Sequence, residues 1–120
     1  MIVDDHEIFR RGLRSLLEPS LDWQVCGEAV DGVDAVNQCK ILTPDVVVMD
    51  VTMPGLNGLE AARLILKESP EIQIVIITQH DSPQIRAAAL DAGARAFVTK
   101  SAVGSELISA IKKLIRNIPE

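Results

Sequence analysis

Asp4 and Asp5 close a short apolar run at the start of the chain, Asp50 closes a later run, Thr78 closes the next, and Lys100 follows the last. If those runs are parallel strands, their carboxyl ends are where a ligand would sit, because open α/β sheets bind beyond the ends of their strands. Convergence there would bring the carboxylates of Asp4, Asp5 and Asp50 together. Two like charges ~4 Å apart repel by about 4 kcal/mol at an effective dielectric of 20, so such a cluster calls for a cation. Its ligands would be oxygens, without a histidine or thiol cluster, which favours a hard ion. A cage that leaves positions for water or phosphate oxygens suits Mg²⁺. Asp5 alone reads as a helix N-cap; the whole ordered set does not.

The elements that must position these groups are read from alternation along the chain. Apolar runs at Met1 to Val3, Trp23 to Ala29, Asp45 to Met49, Ile72 to Ile77 and Ala96 to Val98 are separated by segments of helical period. Phe9, Leu13, Leu16 and Leu17 make one stripe; Ala35, Val36, Cys39 and Leu42 a second; Leu59, Ala62, Ile65 and Leu66 a third; Leu107, Ile111, Leu114, Ile115 and Ile118 the last. Asn57 with Glu60 three later suits a helix start, Ser82-Pro83 suits an N-cap and first position, and Gly93 suits a helix end. Val46-Val47-Val48-Met49 and Ile74-Val75-Ile76-Ile77 are continuous rather than alternating, as strands covered on both faces require. The expectation is an α/β fold of five β-α units, a doubly wound parallel sheet in strand order 2-1-3-4-5.

With 120 residues the chain falls within the size of one domain. Its 48% hydrophobic and 24% charged content is ordinary globular usage and excludes a disordered chain. No apolar run approaches the ~18 residues of a membrane span, and Met1 to Asp5 lacks the features of a signal peptide. A cytoplasmic protein with no membrane partner is expected, with Cys26 and Cys39 as reduced, mostly buried thiols. The net charge of −5 with scattered Lys and Arg leaves no footprint for a phosphate backbone, so direct nucleic-acid binding is not expected of this segment.

Four segments together resemble the receiver domain of two-component response regulators, most closely the NarL/FixJ (LuxR-type) transcriptional regulators. They are Val3-Asp4-Asp5-His6, Val48 through Gly58 with Asp50-Val51-Thr52-Met53-Pro54-Gly55, Ile77-Thr78, and Gly93 through Ser101. The resemblance covers nearly the whole chain and implies a flavodoxin-like (βα)5 fold. It implies that Asp50 is the phosphoacceptor, that Mg²⁺ is held by Asp4, Asp5, Asp50 and the backbone carbonyl of Thr52, and that Thr78 and Lys100 bind the phosphoryl oxygens. Phe97 takes the aromatic switch position. The chemistry agrees: a carboxylate attacking a phosphoryl group needs its own charge and that of the incoming oxygens neutralised. An acyl phosphate adds charge and acceptors that can draw Thr78 inward and vacate space for Phe97.

The sequence departs from the family at two places. Gln79 stands where a small residue is usual, and Ser101 follows Lys100 where many receivers have a cis-proline. Thr52 and His80 are expected to tune how water reaches an acyl phosphate, and the bulk of Gln79 to tune the site by hindering approach of a phosphodonor or partner. His6 and Arg10, Arg11 and Arg14 read as solvated. The fourth helix, with Ile85 and Leu90 as its only larger apolar residues, should bury least and open most cheaply. Only three residues precede Asp4, which suggests native residues before Met1, and Asn117-Ile118-Pro119-Glu120 reads as the stub of a linker.

Two other classes fit less well. Asp50-Val51-Thr52 is similar to the Asp-x-Thr of haloacid-dehalogenase-like phosphotransferases, but the order of acidic pair and nucleophile is reversed. A flavodoxin-like flavin binder would need a Gly-rich phosphate cradle where Asp4 and Asp5 stand. The expected function is therefore a receiver that takes a phosphoryl group from a sensor histidine kinase onto Asp50 and catalyses only its own phosphorylation and dephosphorylation. A phosphorylation-dependent homodimer is expected, through the first and last helices in preference to the fourth helix. DNA would be reached only through a C-terminal domain beyond this chain.

Overall fold

A computed structural model describes residues 1–20, 22–53 and 55–116. The chain alternates β1 (Ile2–Val3), α1 (Glu7–Leu17), β2 (Glu28–Ala29), α2 (Gly32–Leu42), β3 (Val46–Asp50), α3 (Gly58–Glu68), β4 (Gln73–Thr78), α4 (Pro83–Asp91) and β5 (Ala96–Thr99). A 3₁₀ turn (Lys100–Ala102) and a π turn (Val103–Leu107) then lead into α5 (Ile108–Ile115). The strands pair in parallel in the order β2-β1-β3-β4-β5. This is the expected doubly wound sheet.

Two cores follow from the pleat. Val47, Met49, Ile74 and Ile76 face α2, α3 and α4, where they meet Ala35, Cys39, Ala62, Ile65 and Ala89. Val48, Val75, Ile77 and Val98 face α1 and α5 and meet Leu13, Leu17, Leu107, Ile111 and Leu114. Strands buried on both sides have no polar face to alternate, which is why the sequence shows continuous apolar runs there.

The helix signals hold in detail. The Asn57 side chain accepts from the Glu60 amide at 3.0 Å while its own amide donates to the Glu60 carboxylate at 2.7 Å, the reciprocal bonding of a capping box. Ser82 caps α4 through the Ile85 amide, with Pro83 at its first turn. Gly93 turns the chain after α4 at φ +100°, a conformation that favours glycine. At Gly58 the constraint is space: a Cβ would stand 2.1 Å from the Asp50 carbonyl oxygen.

Three expectations need correction. The run Trp23 to Ala29 pairs only at Glu28–Ala29, because a strand exists through its partner and β1 offers two rungs, Ile2 to Glu28 and Val3 to Ala29. Trp23 instead donates its indole Nε1 to the Leu17 carbonyl at 2.9 Å. Arg10 is not solvated: its side chain is 14% exposed, with Nε 2.9 Å from Glu28 Oε1 and Nη1 donating to the Asp4 carbonyl at 2.8 Å. Arg14 also reaches Glu28, at 2.6 Å, while Arg11 stays exposed with Glu7. Of the thiols, Cys39 is buried and Cys26 exposed; burial pushes Cys39 up to about 11. The Lys100 to Ser101 peptide is trans. Pro54, Ile118 and the Asn117 to Glu120 stub lie outside the described residues. No helix among the described residues is long and apolar enough to cross a membrane.

Candidate functional site

At the carboxyl edge of the sheet, β1 delivers Asp4, β3 delivers Asp50 and β4 delivers Thr78, all three buried. Lys100 begins the turn after β5 and lays its ammonium between two of them, 3.3 Å from Asp4 Oδ2 and 3.4 Å from Asp50 Oδ2. The parallel register makes this inevitable: Val3 pairs with Met49 and Asp50 with Ile77, so the residues that follow share one rim. Thr78 turns its hydroxyl to His80, accepting from that amide and donating to that carbonyl, each at 3.2 Å. Thr52 gives its amide to Asp50 Oδ1 at 3.3 Å. Thr52, Gln79 and His80 are exposed around the rim.

Burial, with the neighbouring Asp4 charge, pushes the Asp50 carboxyl above its ordinary value, and the Lys100 ammonium and the Thr52 amide only partly offset this. Two buried oxygens, Asp4 Oδ2 and Asp5 Oδ1, have no hydrogen-bond partner. The first lies within ion-pair reach of Lys100 but out of alignment for a hydrogen bond. Buried carboxylate oxygens left this way are costly, and a cation relieves them. The donor set therefore fits a hard ion. Oxygens of Asp4, Asp5 and Asp50 and a ring nitrogen of His6 all lie within 4.8 Å of one another.

Two site neighbours were not foreseen. His6 is exposed as expected, yet its Nδ1 sits 3.3 Å from Asp4 and 3.2 Å from Asp5, and its amide donates to Asp4 Oδ1 at 2.7 Å. Phe9, read only as a member of the apolar stripe of α1, places its ring 4.4 Å from Lys100 Nζ. Adjacency to Asp5 could have signalled His6; no local pattern relates Phe9 to a lysine in another β-α unit. Phe97 is half-buried on β5 beneath Arg86. A cavity of about 580 Å³ opens at the opposite end of the sheet, around Met1, Leu17, Trp23 and Ile111, and holds none of these polar groups.

A family model for the response regulator receiver domain matches residues 1–112. The chain belongs to that family. This receiver is 40% identical over 114 residues to the response regulator UvrY of Escherichia coli (strain K12), covering 95% of this chain and 52% of that protein. It is 38% identical to the response regulator GacA of Pseudomonas aeruginosa, covering 95% of this chain and 53% of that protein. It therefore spans about half the length of the curated relatives it matches. Among solved structures, a LuxR-family two-component response regulator from Aurantimonas sp. SI85-9A1 superposes with a TM-score of 0.92 at 40% identity, covering 97% of this chain and 83% of that one. The signal receiver domain of the putative response regulator NarL from Mycobacterium tuberculosis gives 0.90 at 33%, covering 97% and 94%. The receiver is thus of the NarL/FixJ type and has the flavodoxin-like fold.

Proposed function

We propose that Asp50 accepts a phosphoryl group from the phosphohistidine of a sensor histidine kinase, and that the resulting acyl phosphate switches the domain. The observation that carries this reading is the Lys100 ammonium lying between the buried Asp4 and Asp50 carboxylates, with one oxygen each of Asp4 and Asp5 left without a hydrogen-bond partner. Asp4, Asp5, Asp50 and the Thr52 carbonyl would hold Mg²⁺, which when bound supplies positive charge to the acids and to incoming phosphoryl oxygens. An Asp50 carboxylate oxygen bonds to phosphorus as the P–N bond of phosphohistidine breaks and the imidazole leaves with the electron pair. Lys100 moves from the acids onto a phosphoryl oxygen, and Thr78 donates its hydroxyl to another. Because the acceptor is Asp50 of the domain itself, the domain catalyses only its own phosphorylation and, with water, its own dephosphorylation. Thr52, Gln79 and His80 border the approach of the water that ends the state.

The decisive experiment is intact mass after incubation with acetyl phosphate and Mg²⁺. The wild-type chain gains one phosphoryl group; Asp50→Asn gains none, because an amide is neither a nucleophile nor an adequate ligand. Equal labelling of both would end this reading. In the full-length cytoplasmic protein the output is transcription, through a DNA-binding domain following this segment. The switched state dimerises through α1 and α5. Ile8 on α1 is 86% exposed, whereas Ile108 on α5 is half-buried in the second core, so Ile8 is the residue to change. Sedimentation with beryllofluoride should show a dimer that Ile8→Asp abolishes; a dimer untouched by Ile8→Asp would point to α4, where Leu90 is also exposed.

A further inference from the structure

Phe97 is held by a residue that the chemistry above does not use. Its ring packs half-buried against the core shared with α4, and the guanidinium carbon of Arg86 lies 4.5 Å from the ring centroid. The same guanidinium grips Asp81 with a two-pronged fork: Nε donates to Oδ1 at 2.7 Å and Nη2 to Oδ2 at 3.0 Å. Forked pairs fix orientation as well as charge. The plane over Phe97 is therefore set by the position of Asp81.

Asp81 follows His80, and the His80 backbone is where Thr78 engages its hydroxyl, in both directions at 3.2 Å. A hydroxyl donates a single proton. If Thr78 gives it to a phosphoryl oxygen on Asp50, the His80 carbonyl loses its donor and the backbone presenting Asp81 is released. Thr78, His80, Asp81, Arg86 and Phe97 thus form an unbroken series of hydrogen bonds, one covalent step and a ring contact. It leads from the rim of the site to the aromatic ring.

We propose that Arg86, clamped by Asp81, is a latch that keeps Phe97 in its resting position, and that Thr78 opens it by turning toward Asp50. This rests on the phosphoacceptor reading. Arg86 and Asp81 are positioning residues, since neither touches the reacting atoms. A contact present only in the resting state biases the equilibrium against the switched one. Removing it raises the apparent affinity for any ligand of the switched state. One exposed cation–π contact corresponds to about a two- to fivefold change.

The chain has two phenylalanines, so 4-fluorophenylalanine labelling gives two ¹⁹F resonances, assigned by the loss of one in Phe97→Leu. Without ligands, Arg86→Gln should move the Phe97 resonance toward the position it takes in wild type with beryllofluoride and Mg²⁺, and Asp81→Asn should move it the same way by less. Arg86→Gln should also bind beryllofluoride about two- to fivefold more tightly. A merely structural Arg86 would lower Tm and leave both readouts at wild-type values, and that result overturns the latch. Failure of wild type to bind beryllofluoride or to gain a phosphoryl mass would instead sink the phosphoacceptor reading on which the latch rests.

Discussion

The helices α1 and α4 lie on opposite faces of the sheet, and each approaches the rim of the site, yet they are secured by different means. The first buries Leu13 and Leu17 in the core it shares with α5, and Arg10 and Arg14 tie it to Glu28 beside β2. The second buries Ala89 alone along its length and leaves Leu90 70% exposed. Its polar anchor, Arg86, grips an exposed loop residue and a half-buried ring rather than a strand. Stability in a domain of this size is unevenly distributed, and elements that move are drawn from its weakly packed end. On its face α1 is anchored beside Asp4; on the other face α4, unlike α2 and α3, can be displaced at little cost.

Substitutions at four positions break or sharpen this contrast. The largest effect is expected from Leu13→Ala, which should cost roughly 2–5 kcal/mol in urea unfolding, whereas Leu90→Ala should stay within about 0.5 kcal/mol. Equal losses would mean the two helices are equally anchored. Next comes Arg10→Ala, which strips the Asp4 carbonyl and Glu28 of a charged donor and should cost about 1–3 kcal/mol. Arg10→Lys should recover less than half of this, because an ammonium cannot serve both acceptors in the same fork. The smallest is a gain, from Asp50→Asn.

The sign of that gain follows from linkage. The folded state holds the Asp50 proton more firmly than the unfolded chain does, so metal-free stability falls as pH rises from the ordinary 3.8 through the raised folded value. Asp50→Asn removes this decline and should raise Tm at pH 7 without divalent ions. A lower Tm for the variant under those conditions would show that Lys100 more than compensates the buried charge.

What the sequence made legible was whatever local order determines. Val46 to Met49 could only be a two-sided strand, so Asp50 had to stand at its end, and the same logic carried Thr78. The caps at Asn57 and Ser82 are three-residue patterns and read correctly. What stayed hidden depends on partners distant in the chain. Residues 23 to 27 have strand-like composition, but pairing is decided by β1. Arg10 reads as solvated until Glu28 is brought beside it, and Phe9 reads as core until Lys100 arrives from the far end. Periodicity says which face of an element is apolar; it does not say what polar group will cross that face.

Trp23 is the chain's sole tryptophan, and its indole is bonded to Leu17 at the end of α1 that points away from the acids. Its optical signal therefore watches the base of the molecule, where α1 and α5 close over the sheet. Emission should stay flat during a Mg²⁺ titration, since no charge changes within its surroundings. If emission does change on phosphorylation, the disturbance has crossed the full height of the sheet, and the indole becomes a built-in gauge of how far the switch reaches.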